Sequence, residues 1–89
     1  MATATNRLAS PALRGGSVLI TLDSTETVTK LPSVTIGQKA TVGSTSKTGY
    51  VSSVDYYGHS FEVTPGNPDL RFDSTATGYL SVSEVITLV

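Results

Sequence analysis

The sequence predicts an all-β fold: a small antiparallel barrel or sandwich of about seven short strands, preceded by an extended N-terminal arm. Three observations carry this reading. Ser and Thr supply 26 of the 89 residues and Val another 10, a composition suited to half-buried pleated surfaces rather than helices. Short apolar runs alternate with Gly, Pro, Asn and Asp at the spacing of strands and turns in a small barrel. Residues 1–16 stand apart. They are rich in Ala and Thr, carry Arg7 and Arg14 with no acid, include Pro11 and close at Gly15-Gly16. The chain thus divides into an arm, 1–16, and a single β-domain, 17–89.

In chain order, residues 17–22 (SVLITL) read as a strand with Val18, Ile20 and Leu22 on one face and Leu19 on the other, ended by Asp23-Ser24. Residues 25–31 are β-prone, with hydroxyl side chains at Thr25, Thr27 and Thr29, and Pro32 assigns them to an edge strand. Residues 33–36 and 39–42 are short strands on either side of Gly37-Gln38, and a polar loop runs from 43 to 47.

A hairpin about Tyr57-Gly58 follows, in which a single register accounts for all the neighbours. Tyr56 pairs with His59, Val54 with Phe61 and Ser52 with Val63 on a largely apolar face. Asp55 pairs with Ser60 and Ser53 with Glu62 on a polar one. A slip of one residue would separate Val54 from Phe61, so the pattern specifies the register. The expected turn is the two residues Tyr57-Gly58, with Gly58 at positive φ.

A stiff loop, TPGNP, leads to strands at 69–72, 77–82 and 84–89. The last has apolar side chains on both faces, Val85 and Val89 on one and Ile86 and Leu88 on the other. Such a strand is expected to be covered on both sides, either as a central strand or by another subunit.

Composition excludes several classes of function. Six basic against seven acidic residues lack the footprint of a nucleic-acid binder. No run of 18 apolar residues offers a membrane span, and MATATNRLASPALRGG lacks the apolar stretch of a secretory signal. Without cysteine there are no disulfides, thiolate metal sites or cysteine nucleophiles. A domain this small buries only about 60% of the surface of its unfolded chain, so oligomerisation or docking is expected to support it.

Candidate chemistry is sparse. His59, Ser60 and Asp55 contain the residue types of a serine triad, but the hairpin register sets the histidine on the opposite face from the other two. Asn67, Asp69 and Asp73 offer oxygens, but without the spacing of a calcium loop; Asx turns explain them. No catalytic residue, metal site or cofactor is therefore expected. Tyr50, Tyr56, Tyr57 and Tyr79 remain as interaction residues, Tyr57 being the most exposed by position.

The segments GQKATV (37–42), TGYVSSVD (48–55) and SFEV (60–63) resemble the early strands of SH3-like small barrels of the KOW type, without the basic surface those domains present to RNA. The layout as a whole, an Ala/Thr-rich arm before a compact Cys-free Ser/Thr/Val-rich β-domain, resembles the small structural proteins of tailed-phage virions, above all capsid decoration (cement) proteins. That resemblance implies a non-enzymatic protein on the capsid surface, with many copies, whose arm lies on the major capsid protein or another virion protein. A head-to-tail or tail component is the alternative within the class, and a β-barrel module binding glycan or protein through Tyr56-Tyr57 is the alternative outside it. The residues expected to meet a partner are Arg7, Leu8, Leu13, Arg14 and Tyr57, with Ile86 and Leu88 joining copies of the chain in a homo-oligomer.

Overall fold

A computed structural model describes residues 2–43, 47–72 and 78–89. The strands are β1 (Ala2–Thr5), β2 (Ser10–Pro11), β3 (Val18–Thr21), β4 (Lys39–Val42), β5 (Lys47–Asp55), β6 (Ser60–Pro65), β7 (Tyr79–Leu80) and β8 (Val85–Leu88). Six of them form one curled antiparallel sheet, a half-barrel in the order β1-β8-β4-β5-β6-β3, and β2 pairs with β7 in a second, two-stranded sheet. The all-β antiparallel class is thus the observed one.

Alternation decides which side chains fill the half-barrel. Val18 and Ile20 of β3, Phe61 and Val63 of β6, Val51 of β5, Ala40 and Val42 of β4, and Ile86 and Leu88 of β8 all point inward and are buried. The β5–β6 register has Asp55 opposite Ser60, Val54 opposite Phe61 and Ser53 opposite Glu62, as the hairpin pattern predicts. It then shifts: Val51, not Ser52, lies opposite Val63. Ser52 is the extra residue of a bulge. Val51 and Val54 are three apart and would otherwise face opposite ways; the bulge turns both toward the core.

The turn differs from the two-residue form expected. Residues 56–59 all belong to it, and the left-handed residue is His59 (φ 57), not Gly58. Histidine enters that region more readily than most side chains. Asp55 Oδ1 accepts the Gly58 N–H at 3.0 Å, a local side-chain bond that holds the turn. A Cβ on Gly58 would meet the same carboxylate, which would have to give way; the glycine is not at positive φ.

The segment expected as an edge strand at 25–31 is instead helix α1 (Ser24–Thr29) followed by a 3-10 turn (Leu31–Ser33). Asp23 caps the helix, its Oδ1 accepting the Glu26 N–H at 2.7 Å, and this bond outweighs the β-propensity of threonine. Residues 33–36 likewise form no strand; Gln38 N–H closes a turn on Thr35. Residues 69–72 are irregular, although Phe72 is buried in the core. In the expected strand 77–82 only Tyr79–Leu80 is β; Thr77 lies outside the described residues, as do residues 44–46 of the polar loop.

The N-terminal segment is extended, as expected, but it packs on the body of its own chain and does not stand apart from it. Ala2–Thr5 pairs with β8 along its whole length. Ala4, Asn6, Ser10 and Ala12 are buried, because alternation turns these small side chains inward wherever the segment crosses the body. Gly15-Gly16 does not act as a hinge. The Gly15 N–H bonds Leu70 O at 2.8 Å, φ is +70°, and a Cβ there would stand 2.5 Å from Pro68 O.

Asn6 joins the two ends of the curled sheet. Its Oδ1 accepts the Thr21 N–H at 3.2 Å and its Nδ2 donates to Ser81 O at 3.0 Å. Its backbone N–H bonds Glu84 O, and its carbonyl accepts from Ser83 N–H. The Arg7 N–H then reaches Thr21 O at 2.8 Å. Edge strands β1 and β3 therefore meet through the residues that follow β1.

Candidate functional site

Two exposed surfaces gather the residue types that interfaces use. The first is the outer face of the small sheet. Pro11 and Tyr79 are direct cross-strand partners and both are exposed, as are Ala9 and Leu13, the next outward positions on either side of Pro11. Leu13 is 66% and Tyr79 56% exposed. Leu8, also exposed, precedes them. Pro11 and Tyr79 thus share the outer face of the small sheet, and Ala9 and Leu13, which flank β2 in the chain, are exposed and apolar, while Ser10, Ala12 and Leu80 are buried.

The second surface is the tip of the β5–β6 hairpin. Tyr57 is 94% exposed, and its ring meets that of Tyr56 edge-to-face, with centroids 6.2 Å apart and planes at 83°. The tip is braced from behind. His59 Nδ1 lies 3.0 Å from Thr27 Oγ1 of α1, and the Leu22 N–H donates to His59 O at 2.7 Å. The tyrosines therefore project from an anchored loop.

Of the residues expected to meet a partner, Leu8, Leu13 and Tyr57 lie on the surface. Arg7 and Arg14 are also exposed, but each faces an acid of its own chain: Arg7 with Asp23 at 3.2 Å and Arg14 with Asp69 at 2.6 Å. The positive arm is thus locally neutralised, through exposed pairs of small energetic value. Ile86 and Leu88 do not belong to a surface. Both are buried inside the half-barrel, since β8 lies between β1 and β4. Strand β8 is a central strand, one of the two forms expected for it; in the single chain Val85 and Val89, on its outer face, are exposed.

Ser60 and Asp55 are cross-strand partners as expected. Ser60 is buried, the Asp55 carboxylate serves the turn, and the imidazole of His59 is engaged with Thr27. Of the three candidate calcium ligands, Asp69 is paired with Arg14 and Asn67 Oδ1 accepts the Asp69 N–H at 2.9 Å, an Asx turn; Asp73 lies outside the described residues. Among the described residues no three acidic or histidine side chains gather as a metal centre would require, and no pocket opens into the body.

Pro11 and Ala9 were not legible as interface residues in the sequence. Their signal was the period-two alternation A-S-P-A-L from Ala9 to Leu13, obscured by a proline that reads as a strand breaker. Comparison with protein-family models, curated proteins and solved structures finds no match for this chain.

Proposed function

We propose that this protein is a non-enzymatic structural protein that docks on a larger assembly, in its most specific form a capsid decoration protein resting on the major capsid protein of a virion. The observation that supports this reading most directly is the outer face of the small sheet. Ala9, Pro11, Leu13 and Tyr79 hold an uncharged apolar surface in place, and burying a leucine or tyrosine of this kind stabilises a complex by roughly 1.5–3 kcal/mol. Exposed apolar patches on small soluble domains mark interaction sites. Leu8, Arg7 and Arg14 are further exposed residues of the same segment, and the exposed ion pairs of the two arginines are easily exchanged.

Quantitative mass spectrometry of purified particles tests this. A decoration protein is present in a number comparable with the major capsid protein, whereas a head-to-tail or tail component is present in far fewer copies. Absence from particles overturns the reading. A Leu13→Asp, Tyr79→Asp variant that folds is expected to be lost from the particle.

The exposed Tyr56–Tyr57 pair supports a second reading, a binding module for glycan or protein that works through the hairpin tip. In that case Tyr57→Ala abolishes binding and the Leu13→Asp, Tyr79→Asp variant retains it.

A further inference from the structure

The outer edge of β1 is held in an unusual way. In its ladder with β8 the backbone groups of Ala2 and Ala4 face β8, while those of Thr3 and Thr5 face outward. Among the described residues no strand takes the outward groups. The Thr5 N–H donates to Glu26 Oε1 at 3.1 Å, and Lys30 Nζ donates to Thr3 O. Glu26 and Lys30, one turn apart on α1 and its C-cap, are themselves ion-paired at 3.1 Å. Two side chains of the helix thus occupy an edge that would otherwise be open to a further strand.

We propose that β1 is an exchangeable strand: Ala2–Asn6 of one copy leaves its own β8 and takes the same place on β8 of a second copy, whose own segment is exchanged in return or passed on. The proposal concerns copies of this chain alone and stands whether or not the docking reading holds.

Three features carry it. First, β1 itself buries little: among the described side chains of Ala2–Thr5 only Ala4 is buried, so the firmest hold on the segment is that of Asn6, whose bonds must open during exchange and are re-formed in the second copy. Second, the vacated site demands a strand. β8 would present the edge of Val85–Leu88, with Ile86 and Leu88 on the core side. The sequence that fits best in register and side-chain size is the displaced one, so the second copy restores every contact, including those of Asn6 with Thr21 and Ser81. Third, a connection is present. Leu8 and Ala9 are exposed residues between Arg7, which is bonded to Thr21 and Asp23, and buried Ser10, and they are where the chain would change direction.

The native chain has no cysteine, which permits a direct test in the full chain. Thr3 and Thr87 are direct partners at a non-hydrogen-bonded position, where Cα atoms lie about 4.5 Å apart, within disulfide range. The double variant Thr3→Cys, Thr87→Cys is equilibrated under reducing conditions at graded concentrations and then oxidised. Non-reducing electrophoresis measures the covalent species, and peptide mapping shows which positions are joined.

Exchange predicts dimers and longer species linked from position 3 of one copy to position 87 of another, the dimer fraction rising about tenfold per tenfold increase in concentration while dimers are few. Adding Glu26→Gln and Lys30→Met should raise that fraction at every concentration. Monomers closed on themselves at all concentrations overturn the proposal. So do dimers joined 3 to 3 or 87 to 87, which would report chance collision.

Discussion

The ring of Phe72 stands where a side chain on Gly49 would be: its Cζ lies 3.0 Å from the position of a Cβ on that glycine. Gly49 faces Ala40 across the β4–β5 ladder, and these two small residues leave the space inside the half-barrel that Phe72, from an irregular segment, fills. The Thr64 carbonyl approaches Gly49 still more closely. Gly49→Ala is therefore expected to destabilise the fold by about 1–3 kcal/mol, the usual range for overpacking, as read by urea denaturation. Phe72→Leu in the same chain should recover only part of the loss, because the Thr64 backbone cannot withdraw. A full recovery would place the whole strain on the ring.

Asn6 is the buried polar residue on which the two edges of the sheet depend. Replacing it with leucine, which is similar in size, leaves the Thr21 N–H and the Ser81 carbonyl without their side-chain partner. Each such orphaned group costs about 1–3 kcal/mol. Asn6→Leu should thus be among the most damaging single substitutions in the segment, and hydrogen exchange should show early opening at Thr21. Unchanged protection there would mean that the Asn6 bonds are not what closes the edges.

The hairpin turn separates backbone strain from side-chain bonding. His59→Gly and His59→Ala both remove the imidazole that contacts Thr27, but only glycine adopts φ near +57° without cost. The glycine variant is expected to be more stable than the alanine variant by about 1 kcal/mol. Equal midpoints in denaturant would show that the left-handed conformation at position 59 carries no strain.

What could be read from the chain, and what could not, follows from how local each cause is. The strand faces of Val18, Ile20 and Leu22 and the pairing of Val54 with Phe61 were legible because alternation is a local signal. The bulge at Ser52 was hidden in the same stretch, although the three-residue spacing of Val51 and Val54 already requires it if both are to face inward. Helix α1 was missed because Thr25, Thr27, Val28 and Thr29 outweighed Asp23 and Glu26, even though an Asp three residues before a Glu is a capping pattern. The packing of segment 1–16 on the body is hidden in the sequence for a different reason. Its burial rests on Ala4, Asn6, Ser10 and Ala12, side chains too small or too polar to announce a core, whose partners lie about 10 to 80 residues away. The outward face of Ala9, Pro11 and Leu13 became visible only once β7 placed Tyr79 beside Pro11.

Exposed anchors are distinguished from structural residues by what their removal leaves intact. Tyr57→Ala and Leu13→Ala each truncate a side chain that is mostly in solvent, so both should change folding stability by no more than about 0.5 kcal/mol. If the outer face of the small sheet is the docking surface, Leu13→Ala weakens binding to the particle, on the order of 1–3 kcal/mol at a central contact, while Tyr57→Ala does not. Affinities of the two purified variants for depleted particles decide between this face and the hairpin tip. Equal losses would make both part of one footprint.

Strand β8 offers a comparison at two adjacent positions. Ile86 is fully buried and Val85 is 43% exposed on the opposite face. Ile86→Ala removes a core side chain in a small chain without disulfides, and such truncations cost about 2–5 kcal/mol, a large share of the stability of a domain this size. Val85→Thr keeps the shape and the β-branching and turns a methyl into a hydroxyl where water already reaches, so the isolated chain should tolerate it within about 0.5 kcal/mol. The two results together show which face the body of the protein uses. If Val85→Thr leaves the melting of dilute protein unchanged but impairs assembly on the particle, the outer face of β8 with Val85 and Val89 belongs to an interface. If it impairs neither, these valines are isolated surface residues, and the apolar character of the strand is accounted for by Ile86 and Leu88 alone.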